Sequence, residues 1–391
     1  MSSTDTSRPQ LDRAQRASFV TGALGLGLCV LFGLHNLDQL FRSYLVAFEF
    51  WISIPLGCIA ILMLHHLTGG QWGFPIRRLL EAGTRTFLLM AALFVPVWYG
   101  MPHVYSWARP EDVSADQILQ YKKPYLNPSS FTLRAVIYFA IWLVLAYFLN
   151  KWSREQDQTS DPKLSERCAA ISGPGLVLWS LAVTFASVDW VMSLEPHWYS
   201  TIYGMIFMVV EALVGMSFVV FILRLISGEE PIKSNITPGQ FNDLGNLMLT
   251  FVMLWAYLSF SQFLLIWAGN LKEEIPWYTA RAYGGWGALA VVLIVLHFFA
   301  PFFLLLQRGV KRRLRSLSII AGLLIALSLV DVYWLIAPAY EKTGPRVHPL
   351  DILALLGIGG IWLAAFFWEL GKRPLLPERD PRFKGALEHG H

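Results

Sequence analysis

Ten stretches of this chain are each long and apolar enough to cross a lipid bilayer, and nothing between them is long enough to make a separate water-soluble domain. They fall at 17–35, 45–66, 81–100, 131–150, 173–193, 201–226, 242–268, 284–306, 315–337 and 351–370. A helix needs roughly 20 apolar residues to span the hydrocarbon core, and only helices or closed barrels satisfy their backbone polar groups there. The expected fold is therefore all-α. It is a polytopic transmembrane helical protein with a tail over 1–16, a ten-helix domain over 17–370 and a second tail over 371–391. The 15% of residues that carry charge are too few to clothe a water-facing surface and are gathered between the apolar runs. The first apolar run continues for a full span with no small-residue cleavage site after it, so a retained first helix is expected rather than a removed signal.

Lys and Arg near helix ends orient such a chain. Of the 31 basic residues, 21 lie on the side of the N-terminus and 8 on the other, which predicts both termini in the cytoplasm. The opposite side carries aromatics instead, among them Trp98, Tyr99, Trp198, Trp277 and Trp334, at the level where amphipathic rings prefer the headgroups. The net charge of +4 is thus topology, not a nucleic-acid surface. The multi-pass pattern and the charge bias predict a membrane protein among lipids, with no nucleic acid as a partner.

The three cysteines, Cys29, Cys58 and Cys168, are scattered and form no CxxC or CxxCH, so no metal and no attached haem is expected in this chain. A transmembrane b-type haem needs two histidines facing each other at one depth. Only His297 is well inside, with His65 and His66 at the cytoplasmic edge.

Ionisable groups at membrane depth are costly and each calls for a reason. Glu211 lies ten residues into its span, on a face with Ser200, Gly204 and Gly215. It either relays protons or is a neutral carboxyl hydrogen-bonded to a neighbouring helix. Asp243, Asn246, Thr250, Tyr257 and Ser261 form a second stripe, interrupted by Leu254 and roughly 27 Å long at 1.5 Å per residue. Such a stripe lines a half-channel or glues helices together. Asp189 and Asp331 lie near the outer ends of their helices, where reaching the outer headgroups is the simplest expectation. Glu49, His35 and Asp38 are expected to be solvated at the outer edge. His297 precedes Pro301, whose missing N–H frees the carbonyl of residue 297. This predicts a kink beside an imidazole that serves as a proton station or as a satisfied core histidine. The proton-pathway candidates are thus Glu211, Asp243, Thr250, Tyr257, Ser261, His297, Asp189 and Asp331, with no catalytic, cofactor-binding or metal residue.

Three segments carry a resemblance that polarity alone does not supply. The run from Phe241 to Tyr278, FNDLGNLMLTFVMLWAYLSFSQFLLIWAGNLKEEIPWY, resembles the matching helix and loop of the ActF-type membrane subunit of alternative complex III. So do SVDWVMSLEPHWYSTIYGM at 187–205 and HHLTGGQWG at 65–73. That subunit belongs with the NrfD and polysulfide-reductase membrane anchors. The resemblance implies two four-helix bundles with flanking helices, in a bacterial respiratory or photosynthetic quinol:electron-acceptor oxidoreductase. It implies a larger paralogous NrfD-like membrane subunit, an iron–sulfur/molybdopterin-like subunit and multihaem and monohaem cytochrome c subunits as partners. Iron–sulfur clusters and c-type haems would then sit in those partners. No residue is carried over as a quinone ligand; the smaller membrane subunit is associated with proton movement. The outer connection 101–130, long for a structureless loop, is the expected docking segment. The competing reading from the residues alone is a proton-coupled secondary transporter.

Overall fold

The structure is a computed structural model that describes residues 9–228, 230 and 232–383, and among these there is no β-strand. Among the described residues nine helices are long and apolar enough to cross a membrane, and a bent pair counts as a tenth if it is one span. In chain order they are α1 (Pro9–Gly33), α2 (Leu37–Thr68), α3 (Arg77–Thr84 with Phe87–Tyr99), α4 (Pro128–Thr159) and α5 (Pro162–Trp190). There follow α6 (Tyr203–Ile226), α7 (Pro238–Gly269), α8 (Trp286–Leu306), α9 (Leu314–Ile336) and α10 (Pro349–Gly371). The protein is an all-α, multi-pass membrane protein.

The helix starts are written in local chemistry. α4, α5, α7 and α10 each begin with a proline in the first turn, where its missing N–H costs nothing. Asn36, Asn127, Asp161 and Thr237 accept hydrogen bonds from backbone amides just inside their helices, and Thr237 with Gln240 completes a capping box. Several helices outrun their apolar windows. α1 begins at Pro9 rather than 17, α2 at Leu37 rather than 45, and α4 runs to Thr159 rather than 150. Hydropathy sees only the part in hydrocarbon, whereas backbone hydrogen bonding continues into the polar zone as long as no breaker intervenes.

α2 and α6 are the centre of the molecule. Their apolar windows are 94% and 83% buried within the chain, against 22% for α1 and α8, so the latter two present most of their surface to lipid or to other chains. The central pair touch backbone to backbone. A Cβ on Gly57 of α2 would sit 1.9 Å from the Glu211 carbonyl oxygen, and one on Gly215 would sit 2.8 Å from the Gly57 Cα. Small residues permit this approach, which in lipid replaces the hydrophobic drive as the source of helix association. A second glycine seam joins the first and last spans: Cβ atoms on Gly22 and Gly360 would each meet the other helix's backbone at 2.3 Å.

Two helices depart from a straight span. α3 bends by 41° at Arg85 and Thr86. α8 widens into a π turn over Leu293–Phe299, just before Pro301. This π turn lies where a kink beside His297 is expected, since a proline that cannot close the ordinary hydrogen bond leaves the preceding turn slack.

The basic end of the bundle is closed by buried charge. Arg77, Arg78 and Glu81 on α3 are each at most 2% exposed. Arg77 bonds Glu81 at 3.0 Å, Gln156 at 3.1 Å and Asp380 at 2.5 Å. Arg78 bonds Glu81 at 2.7 Å, Ser153 at 3.0 Å and the carboxylate of Asp157. The segment after α10 is therefore no free tail over its described part: Leu375, Leu376 and Phe383 are buried, and Phe383 packs edge-on against Phe74 with ring centroids 5.3 Å apart. Burial alone would push the Asp380 carboxyl up, but Arg77 and Arg382 together hold it below the ordinary carboxylate range.

Candidate proton-carrying site

Glu211 comes to lie inside the bundle because Gly57 and Gly215 bring α6 onto α2. Its side chain is 4% exposed, and its carboxyl accepts or donates no hydrogen bond among the described residues. Side chains on a helix lean toward its N-terminus, so Glu211 points away from the basic end and toward Glu49. Glu49 is also 4% exposed and also without a partner for its carboxyl, and it lies within electrostatic reach of Glu211. The solvation expected for Glu49 therefore does not hold. Glu49 stands only four residues inside the apolar window that opens at 45, and packing within the bundle rather than depth keeps it 4% exposed.

Two unpartnered carboxyls in a dry interior make a site with specific chemistry. Both cannot be ionised without a large cost, so protons must occupy the pair. Tyr203, 1% exposed at the start of α6, is within electrostatic reach of Glu49, Glu195, Arg281 and Asp331. Its hydroxyl makes no hydrogen bond among the described residues. Arg281, itself buried, bonds Glu195 at 2.7 Å and the Leu335 carbonyl at 2.8 Å, and lies 3.8 Å over the Trp277 ring. Gly57 lies against Glu211, so Glu49 on α2 and Tyr203 on α6, each eight residues earlier, lie on the side of Glu211 away from the basic end.

Three of the other candidate residues are buried, in two clusters. Asp331, 3% exposed, accepts from the Trp255 indole at 2.9 Å, and the Trp255 ring lies 4.5 Å from that of His297. His297 is fully buried, with Nε2 3.3 Å from the Ser328 hydroxyl and Nδ1 unpartnered. Asp189, fully buried, takes two bonds from Arg134 at 2.7 and 2.9 Å and a third from Tyr138 at 2.7 Å. The expectation that Asp189 and Asp331 reach the outer headgroups does not hold; each has a partner on another helix, and burial follows from that pairing.

The stripe on α7 is separate from all of these. Asp243, Asn246 and Thr250 are exposed, Tyr257 is 65% exposed and Ser261 half-buried, so the stripe looks outward from the chain and lines no interior passage of its own. Asn246 accepts from Lys311 at 2.5 Å, and Thr250 donates back to the Asn246 carbonyl at 3.0 Å. Ser200 donates to Gln262 on α7 at 2.8 Å, and Gly204 packs against Thr184 of α5. The small residues beside Glu211 therefore admit helices.

His65 and His66 lie side by side near the basic end of α2, ring centroids 5.9 Å apart, with all four ring nitrogens buried and unpartnered. Among the described residues no three His, Cys, Asp or Glu side chains gather as a metal site. Neither a known family model nor a curated relative matches the chain. The described helices and site therefore define a class, a multi-pass helical membrane protein with unpaired acids in its core, and leave the particular role to be proposed.

Proposed function

We propose that this chain is the smaller, ActF-type membrane subunit of an alternative-complex-III-like quinol:electron-acceptor oxidoreductase of a bacterial inner membrane, and that it carries protons for that complex. The observation that carries the reading is the pair Glu49 and Glu211, two buried carboxyls without partners in the most enclosed part of the bundle. An unpaired acid in hydrocarbon is retained at a cost of roughly 2.5–3.5 kcal/mol, which fits a group whose use is to gain and lose a proton. Tyr203 and the Glu195–Arg281 pair continue the polar route outward, and the Asp331–Trp255–His297 cluster is the second station. Redox centres and the electron acceptor belong to partner subunits: the larger NrfD-like paralogue, the iron–sulfur/molybdopterin-like subunit and the cytochromes c.

The test is Glu211→Gln, which keeps shape and hydrogen-bonding capacity but removes titration. Expected are normal assembly and a lower yield of protons per electron in vesicles driven by quinol. An assembled variant with a normal proton yield overturns the proton-carrying role. The transporter reading draws on the bend in α3 and the π turn in α8, since transporters break helices around their substrate. Purification under mild conditions separates the two: a complex subunit brings iron and c-type haem with it, a transporter does not.

A further inference from the structure

At the basic end, between α4, the break in α3 and the end of α10, lies a cavity of about 550 Å³. Its charged lining is lopsided. Arg85, Lys151, Arg154, Lys372 and Arg373 face it, against the two carboxylates Asp157 and Glu369. Both carboxylates are already engaged: Glu369 by Arg85 at 2.7 Å and by Lys372 at 2.6 Å, and Asp157 by Arg78 from behind. Arg373 reaches Glu81 at 3.3 Å and the Asn150 carbonyl at 3.1 Å. Lys151 and Arg154 are left with no hydrogen bond and no ion pair among the described residues. Burial disfavours the charge on Arg373; Glu81 and Asp157 work against that, while the positive charges of Arg78 and Arg154 add to it.

The other wall of the cavity is apolar. Leu143, Ala146 and the largely exposed Tyr147 line it one to two turns before Lys151 on α4. Leu143 to Lys151 is about 12 Å along the helix axis, the distance from acyl-chain depth to the headgroup zone. A cavity at the opposite end, about 350 Å³, sets Arg42 and Arg346 against Glu341 and Asp351 and so has no comparable excess of positive charge. The two ends are not equivalent, and only one is built for an anion with an apolar body.

We propose that this cavity binds the phosphodiester headgroup of an anionic phospholipid, with Lys151 and Arg154 taking the phosphate and Leu143, Ala146 and Tyr147 lying along an acyl chain. Basic pockets between helices at the cytoplasmic leaflet recognise such headgroups, each nearby cation contributing on the order of a few-fold in affinity. The inference is independent of the proton-carrying role.

The test uses the full chain, or the complex that contains it, in detergent. Phosphatidylglycerol, phosphatidylcholine or inorganic phosphate is titrated in while thermal unfolding is followed. Phosphatidylglycerol is expected to raise the melting temperature saturably, and the other two are not. In the double variant Lys151→Gln with Arg154→Gln the apparent affinity for phosphatidylglycerol should fall roughly thirtyfold from the loss of two cations. Its own unfolding without lipid should be unchanged, since neither side chain has a partner to lose. The charge-conserving pair Lys151→Arg with Arg154→Lys should keep the response, which guards against a folding defect, and Arg346→Gln at the opposite cavity should also leave it intact. An equal response of the double glutamine variant and the wild type overturns the site. An equal shift from inorganic phosphate alone overturns the phospholipid and assigns the cavity to a free anion.

Discussion

Replacing Asp380 with asparagine tests whether the segment after α10 is a fastened part of the fold. Arg77 is 1% exposed and holds Asp380 at 2.5 Å. Removing one partner of a buried ion pair costs about 3–5 kcal/mol when the remaining charge is stranded. Arg77 is not stranded, because Glu81 at 3.0 Å and Gln156 at 3.1 Å remain. The loss is then closer to that of one charged hydrogen bond, about 2 kcal/mol, or roughly thirtyfold in the ratio of attached to detached segment. Cleavage by trypsin after Arg382 follows the open population when opening is fast, so Asp380→Asn should speed it by about that factor. The acid dependence has a defined direction. Asp380 is held below the ordinary carboxylate range, so its contribution is complete above a pH of about 4 and fades as pH falls through its depressed value. Attachment should be constant from pH 8 to pH 5 and weaken only in stronger acid. Equal cleavage of variant and wild type at pH 7, or release already at pH 6, would refute the latch.

Other outcomes follow from the same geometry. Gly57→Ala places a methyl 1.9 Å from the Glu211 carbonyl and should cost about 1–3 kcal/mol through overpacking, read as a lower melting temperature; an unchanged melt would mean that α2 and α6 do not touch there. Asp189→Asn leaves the Arg134 guanidinium without its carboxylate and should destabilise by about 3 kcal/mol, whereas Asp243→Asn, on the exposed face of α7, should change unfolding by less than about 0.5 kcal/mol. For orientation, a cysteine at Ser114 should react with an impermeant reagent from outside and one at Ser160 only after the membrane is opened; the reverse pattern would invert the assignment.

Much of the architecture is legible in the chain because the bilayer leaves few choices: each apolar run must become a span. What periodicity does not carry is direction. The polar positions of α7 from Asp243 to Ser261 recur as a helical stripe, yet nothing in their spacing says whether they face the bundle or away from it. Glu49 was hidden for a different reason: it lies near the outer end of its apolar window, and its burial comes from the other helices that surround α2, which the local sequence does not record. Arg77 and Arg78 precede the third apolar run and Glu81 opens it, and nothing in those neighbours marks the three as buried. Their burial depends on Ser153, Gln156, Asp157 and Asp380, partners far away along the chain. His297 was legible, because proline chemistry is local and Pro301 marks the turn that widens.

The pairing of Arg77 with Asp380 joins residues 303 positions apart, and the glycine seam of α1 with α10 joins the first span to the last. During synthesis both seams must wait. α1 enters the bilayer with Gly22 and Gly25 bare, and α3 brings Arg77 and Arg78 to the membrane edge with Glu81 as their one carboxylate, before Asp157 and Asp380 are made. Domains mature as their chain emerges, but here neither closure can form until the last helix and the dozen residues after it have been released. A product truncated between α10 and Asp380 would keep Arg77 on Glu81 and Gln156 and would lack only this last bond, a mark by which such a copy can be distinguished.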